Sequence, residues 1–396
     1  MKKKGFWFLL ALSFIPMAVF AQTEIKQDEN LIDAFDVFHK LVGRKNKVDT
    51  SFTELALKRS LTMIPGFGYS QLRGVSLILE GNYSFRNSPD SKVSVIRFVP
   101  QVTFKGFLIP RVTSSIWFYN NTLNLSTDLR YNKFIAIDYG LGSNSSEQAF
   151  NNYRQNYVKF HQTLSRELRP GLLFGIGYYF DEHNGISRLE SKLITVANKY
   201  DITKKTISSG LVANFLYDSR ENENFPLGGE SFAAVSFIQN LKKLGSTSSY
   251  ESVTIDFRKY FRVSTNDMNV LCFRSLNWFT FNGQAPYFDL PFSQGDIMNS
   301  SSRPYVEGRY RGKSMVYLES EYRFTLTKNE FLGGAFFINA SSFEEQNSNQ
   351  FEHVNFGYGA SGRMKINKKS NVYFVGSLGF GTRGAKGLFF SLGDVF

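Results

Sequence analysis

Cysteine is almost missing from this chain of 396 residues: Cys272 stands alone. One thiol allows no intramolecular disulfide and no multi-cysteine metal centre. In the run 269–282 it reads as a small apolar filler. Histidine is nearly as thin, with His39, His161, His183 and His353 scattered and no pair at ligand spacing. No nucleophile elbow, phosphate-binding loop or paired metal signature occurs, so no catalytic residue, metal ligand or cofactor is expected and the chain does not read as an enzyme. Proline (10) and tryptophan (3) are scarce. Beyond the first twenty or so residues, no stretch approaches the ~20 consecutive apolar residues of a membrane-crossing helix.

What is plentiful belongs to strands. The chain has 41 Phe, 20 Tyr and 32 Gly. Mean hydropathy is −0.23, which would suit a water-soluble protein. A membrane barrel gives the same average, because lipid-facing and lumen-facing residues alternate and cancel. The net charge is +12, or +9 once three leader lysines are subtracted. These charges are spread among strands and turns rather than clustered on a helix. They read as lumen and rim charge, and nucleic acid is not expected as a partner.

Residues 1–21, MKKKGFWFLLALSFIPMAVFA, place Lys2, Lys3 and Lys4 before an apolar run and end in Val19-Phe20-Ala21. This is the pattern of a secretory signal cleaved after Ala21, and no lipid-accepting cysteine follows it. Residues 22–60 read as a short periplasmic segment. Within it, Leu31, Ala34, Phe35, Phe38, Leu41 and Val42 recur at helical spacing, with Asp28 or Asn30 as cap and Gly43 as stop. The helix is either a frayed periplasmic terminus or a plug or docking element, and 44–58 reads as linker.

From residue 61 the texture is strand after strand. Sixteen segments emerge, among them 61–70, 107–120, 122–134, 156–168, 170–183, 314–327 and 387–396. At about 10–16 residues they match tilted membrane strands, which need ~9–11, better than ordinary strands of about 5–6. Several alternate cleanly. In 314–327, Val316, Leu318, Tyr322 and Phe324 share one face, and Tyr317, Glu319, Glu321 and Arg323 the other. Leu77, Leu79, Tyr83 and Phe85 oppose Glu80, Asn82, Ser84 and Arg86. Val253, Ile255, Phe257 and Phe261 oppose Asp256 and Arg258. A charge facing lipid at mid-membrane costs about 2–4 kcal/mol, so the ionic faces point inward. Lys259, on the apolar face, must lie near an interface where its stem can snorkel. Short connections alternate with long ones at 135–155, 184–203 and 283–313. The fold class is therefore all-β: a transmembrane, sixteen-stranded antiparallel barrel of the outer-membrane type over 61–396, with a short N-terminal helical segment.

Four patches resemble the bacterial surface antigen superfamily of outer-membrane barrels, which includes BamA and TamA. Asp218-Ser219-Arg220-Glu221-Asn222 followed by Phe225-Pro226-Leu227-Gly228-Gly229 is similar to that family's periplasmic turn, and it is longer than the other short turns. Arg303-Pro304-Tyr305 resembles the Arg-Gly-aromatic tip of the family's sixth outer loop, which folds back into the lumen. Gly308-Arg309-Tyr310-Arg311 extends it, and Glu319, Glu321 and Arg323 look like the charged inner face of the next strand. Residues 387–396 are similar to the closing strand with its terminal aromatic. Two departures stand out: Pro304 replaces the loop glycine, and Asn339 stands where an Asp partner for Arg303 is common. The segment 22–60 is too short for a POTRA domain, so the chain looks like a short member without one.

The resemblance implies a loop held in the lumen by Arg303 pairing with Glu319 or Glu321. The plainer alternative leaves Arg303 on the surface, with the carboxylates meeting Arg323 or Arg363. It also implies a weak seam between first and last strands. Pro65, Gly66 and Gly68 in one, and Gly393 in the other, which ends at Phe396, weaken a ladder, and an open seam can template another chain's strand. The expected function is assembly, insertion or translocation of protein or lipid at the outer membrane. Membrane lipid, client membrane proteins and a separate periplasmic or lipoprotein component are the implied partners. The alternative is a passive or structural barrel.

Overall fold

The computed structural model describes residues 31–41, 59–70, 74–88, 90–148, 150–191, 202–221, 225–264, 269–296, 300–367, 372–393 and 396. The expected signal, 1–21, and most of 22–60 lie outside them. Alternating side chains dictate extended chain almost throughout. The strands are β1 (Ser60–Ser70), β2 (Gly74–Phe85), β3 (Ser94–Val99), β4 (Gln101–Thr103), β5 (Arg111–Phe118) and β6 (Leu123–Asp138). Then come β7 (Asn151–Arg169), β8 (Leu172–Ser191), β9 (Lys205–Asp218), β10 (Ser231–Asn240), β11 (Tyr250–Arg262) and β12 (Val270–Phe281). The last are β13 (Ser314–Thr325), β14 (Leu332–Phe343), β15 (Asn355–Asn367), β16 (Val372–Gly381) and β17 (Lys386–Leu392).

β3 and β4 are two pieces of one wall strand. Pro100 parts them because it has no N–H to give, although its carbonyl still accepts Leu79 N–H at 3.1 Å. The described wall thus has sixteen strand positions. Each pairs antiparallel with its sequence neighbours, from Ser60 opposite Ser84 at one end to Phe374 opposite Leu392 at the other. Among the described residues no ladder joins β17 back to β1. The sheet curls into a barrel whose two edges meet without pairing.

Sidedness follows the sequence pattern. Leu77, Phe98, Ile176, Phe215, Ile338 and Tyr358 stand out from the wall, each at least 47% exposed. So many large apolar side chains bare to the surroundings mark a lipid face. The opposite face is ionic and buried, with Arg274, Arg303, Arg323 and Lys365 at 1% exposure or less. Lys259 lies at the periplasmic rim, its Nζ donating to Gly229 O at 2.9 Å and Ser231 Oγ at 2.7 Å.

Five expected boundaries are corrected. β6, β7 and β8 run into the stretches 135–155 and 184–203 expected to be loops, and β7 and β8 reach 19 and 20 residues. Lipid-facing apolar residues thin out there, but the inward ones continue. Tyr153 and Ile186 remain buried, so the ladder pays no heed to the membrane boundary. β5 begins only at Arg111, after Pro110, instead of 107. β17 ends at Leu392, not 396, because Gly393 takes φ +83° and turns the chain away from the wall.

Among the described residues, one helix, α1 (Ala34–Leu41), precedes β1. Its cap is Asp33: Asp36 N–H donates to Asp33 Oδ1 at 3.0 Å, and Asp33 N–H to Asp36 Oδ2 at 3.1 Å. This reciprocal box satisfies two of the donors a helix start leaves unpaired. The expected caps, Asp28 and Asn30, lie outside the described residues. Ile32 N–H reaches Asn329 O at 3.3 Å, which sets this segment beside the periplasmic β13–β14 turn.

Candidate functional site

The described residues of the connection between β12 and β13, 282–296 and 300–313, do not stand out in solvent. They fold down into the barrel. The first half of the connection is apolar by sequence, and Tyr287, Phe288 and Leu290 pack against Ala136, Tyr153, Ile186 and Tyr250 of the inner wall. Arg311 threads back beneath it, its Nη1 reaching the carbonyls of Tyr287, Phe288 and Leu290 at 3.1–3.3 Å. A guanidinium suits carbonyls at a chain turn because it offers several donors in a fixed fan. Gly308 occupies φ +74° with its N–H on Ser293 O, a left-handed turn that a side chain would strain. Arg309 clasps Ser145 through its Oγ at 2.9 Å and its carbonyl at 2.8 Å, tying the loop to the β6–β7 connection.

The tip is Arg303-Pro304-Tyr305. Two lumen rows receive it. Register aligns Glu319, Asn339, Gly357 and Gly381 in one, and Glu321, Phe337, Gly359, Gly379 and Gly387 in the next. Arg303 Nη2 donates to Glu321 Oε2 at 2.8 Å and also to Glu319 Oε1. The guanidinium lies 4.0 Å over the Phe337 ring. Asn339 Nδ2 donates to the Arg303 carbonyl at 2.7 Å. Asn339, an amide, cannot neutralise the Arg303 side chain as an Asp would, but it holds the backbone. Pro304 rests where side chains are missing. A β-carbon at Gly379 would sit 2.9 Å from Pro304 Cβ, and one at Gly357 only 2.1 Å from Arg303 O. Tyr305 OH donates to Phe356 O at 2.7 Å and accepts Thr382 N–H at 2.9 Å.

Two further anchors surround this seat. Asp296 accepts Arg274 Nη1 at 3.2 Å, and Arg274 in turn shares Asp256 with Arg258. Burial disfavours the charge on Asp296, yet Arg274 and the bonds from Ser300 and Ser301 hold its carboxyl below the usual carboxylate range. Arg323 Nε donates to Glu321 Oε1 at 2.8 Å, and its Nη2 to the carbonyl of Phe396 at 2.8 Å. Arg363, the other alternative partner for the carboxylates, stacks on Phe225 and Tyr373.

At the periplasmic mouth, the described residues of the long turn after β9 reach across to β16. Asp218 grips Arg220 with two bonds of 2.9 and 2.8 Å and shapes the turn. Glu230 accepts Glu221 N–H and Leu227 N–H and closes it. Pro226 is buried, and Gly228 lies so near Arg262 that a β-carbon would meet its Cα at 2.6 Å. Phe225, 2% exposed, crosses the mouth to stack on Tyr373, with centroids 5.2 Å apart. Sequence reasoning assigned Asp218, Arg220, Pro226 and Gly228 to the turn but gave Phe225 no target.

The five seam residues do not gather in one place. Pro65 lies mid-strand, opposite Leu79, rather than at a strand start. A β-carbon at Gly66 would meet nothing within 4 Å, whereas one at Gly68 would crowd Ser76 Oγ at 2.8 Å. Gly393 bonds Tyr373 O at 2.8 Å. Phe396 is corrected from a strand end to a lumen residue: it is buried against Tyr260, Val270 and Cys272, beneath Arg323. Its ring finds more contact inside than along a bare edge.

A lipid-facing wall, an ionic lumen and a loop stopping that lumen from within define an outer-membrane β-barrel filled by its own chain. The chain belongs to the Omp85 superfamily, whose domain model matches residues 106–365. The barrel resembles the crystal structure of BamA from Haemophilus ducreyi lacking POTRA domains 1–3, at 13% identity and TM-score 0.54, over 92% of this chain and 82% of that one. It also resembles CdiB from Acinetobacter baumannii, at 12% identity and TM-score 0.54, over 85% of this chain and 59% of that one. At such identities the likeness speaks for the fold. A search of curated protein sequences finds no significant match.

Proposed function

We propose that this barrel assists the assembly, insertion or translocation of protein, or of lipid, at the outer membrane, and that it does so without catalysis. The observation that carries the reading is the bare seam: β1 and β17 offer unpaired backbone edges side by side, while every other described wall strand has partners on both sides. An edge of that kind can take up a foreign strand by backbone pairing. The stoppered lumen supports the same reading, because it leaves little room for passive flux. In this account residues 1–21 direct export and 22–60 form a periplasmic linker. Membrane lipid surrounds the apolar band, client membrane proteins engage the seam, and a separate periplasmic or lipoprotein component delivers them.

The test locks the seam. Cysteines are placed in β1 and β17 in a Cys272→Ala background, oxidised in cells, and the outer membrane is profiled. The expected result is loss of a defined set of proteins or of lipid asymmetry, restored by reductant. Normal profiles with a fully locked barrel would overturn the proposal. Loss of solute uptake alone would put a passive barrel in its place.

A further inference from the structure

A charge on the outward face of a barrel belongs near an interface, where its side chain can reach polar headgroups. The outer half of β6–β9 carries a group of them. On β6, Arg130, Asn132 and Phe134 line the inside of the barrel, so Tyr131, Lys133 and Ile135 face out. On β7, Gln155, Tyr157 and Lys159 line the inside, so Arg154, Asn156 and Val158 face out. On β8, Asp181 and His183 point in and Glu182 and Asn184 out. On β9, Ser208 reaches Asp289 of the folded-in loop, so Lys205 and Ile207 face out. Register sets Lys133, Asn156, Asn184 and Lys205 opposite one another in a single row. Arg154, opposite Ile135, is the diagonal neighbour of Lys133, a spacing of about 7–8 Å.

This row lies where the apolar band ends. Lys133 is ten residues from Leu123, the periplasmic start of β6. At about 3.3 Å per residue and a tilt of about 40°, that is a height of about 25 Å, the thickness of such a band. Directly below stand Tyr131 beside Val158 and Leu129 beside Phe160, with Tyr131, Leu129 and Phe160 all exposed. Among the described outward residues of β6–β9 at this height, the one acid is Glu182, and it is taken. Lys205 Nζ lies 3.1 Å from its Oε2, and Asn184 Nδ2 donates to its Oε1 at 2.8 Å. Asn156 extends the chain, its Nδ2 donating to Asn184 Oδ1 at 3.0 Å. Lys133 and Arg154 are both exposed, and neither side chain makes a hydrogen bond or ion pair with any described residue. The outward face therefore has a cationic excess, set directly on an apolar surface. A free anion would gain from the charges alone, whereas an anion carrying acyl chains gains from both.

We propose that Lys133 and Arg154 form a docking site for a phosphate-bearing lipid headgroup of the outer leaflet, with its acyl chains lying on Tyr131, Leu129 and Phe160. The guanidinium fork holds phosphate oxygens with paired bonds, and the ammonium adds a point charge beside it. β2, β3 and β5 separate this site from β1, so it is distinct from the seam and does not depend on the assembly reading.

The test holds the full chain in dodecyl maltoside micelles, adds diphosphoryl lipid A as probe, and follows retained lipid by native mass spectrometry. Retention should be saturable in the wild type. It should be about tenfold weaker in the double variant Lys133→Gln/Arg154→Gln, the size of one lost charged hydrogen bond. Lys328→Gln, at an exposed lysine of the periplasmic β13–β14 turn, should retain lipid as the wild type does, and so should Lys133→Arg. Arg154→Gln alone serves as the second variant should the double variant fail to fold. Lipid A stripped of its phosphates should be held by the wild type no better than the intact lipid is held by the double variant. Equal retention by wild type and double variant, or equal retention of intact and stripped lipid, would overturn the proposal. So would full displacement by an equal concentration of inorganic phosphate, because the acyl chains would then contribute nothing.

Discussion

Arg303 shows how much one side chain can decide. It is 1% exposed and bridges two carboxylates on adjacent positions of the same strand face. Removing one member of a buried ionic set costs about 3–5 kcal/mol, because the remaining charges stay desolvated. Arg303→Ala should therefore free the loop tip. Arg309 and Arg311, now buried, would become open to trypsin, and cleavage within 300–313 of the intact barrel measures it. Arg303→Lys should rescue only in part, since a single ammonium cannot fork to both acids. Unchanged trypsin resistance in Arg303→Ala would remove the pinning idea. Gly357→Ala tests the same seat without touching charge. Its β-carbon would collide with the Arg303 carbonyl, and the loop should be released as in Arg303→Ala. Asp296 adds a pH arm. Its folded carboxyl titrates below the usual range, so its contribution is full above about pH 4 and is lost only as pH falls through the lower folded value. Trypsin resistance should be the same at pH 7 and pH 5.5 if that anchor holds.

At the scale of elements, the periplasmic turn after β9 acts as a second stopper, and Phe225 is its head. Phe225→Ala removes a buried ring from Tyr373 and Arg363, a loss of about 3–5 kcal/mol for a fully packed site. The barrel should stay folded while the mouth opens, and a cysteine at Val375 should label from the periplasmic side only in that variant. The strands themselves were legible, because a period of two with charges on one face leaves few alternatives. The two faces of β13 fall as its alternation predicts, Glu319 and Glu321 buried and Leu318 exposed. What the sequence could not reveal is where a side chain goes after its element ends. Phe225 and Phe396 both leave their local segment to fill distant lumen sites, and nothing local encodes that. The full length of β7 and β8 is not legible in the sequence, because lipid-facing apolarity stops at the membrane boundary while the hydrogen-bonded ladder continues. The glycine seat was legible in principle. Gly357, Gly359, Gly379 and Gly381 recur at period two on the face that carries Arg363 and Lys365, and a lumen face without side chains implies that another segment fills it.

For the whole molecule, the question is whether the barrel's weakest line is its seam. Local opening free energies range from near zero at frayed edges to the global value in the core. β8 is held on both sides from Leu172 to Asn184, and its β7 side stays paired as far as Ser191. β1 and β17 each have one paired side. Hydrogen exchange of the detergent-held barrel should therefore run roughly 100-fold faster in β17 than in β8, a gap well inside that range. The chain end adds a second expectation. Arg323 holds the Phe396 carbonyl and shares Glu321 with Arg303, so one carboxylate joins the outer loop tip to the segment that follows the last strand. Loosening either side should be felt at the seam: Arg323→Gln and Arg303→Ala should each speed exchange in β17 and leave β8 unchanged. If β17 proves as protected as β8 in the wild type, the edges are sealed and no client strand can enter there. If only Arg323→Gln has an effect, the loop and the seam open independently, and pinning the loop does not govern the gate.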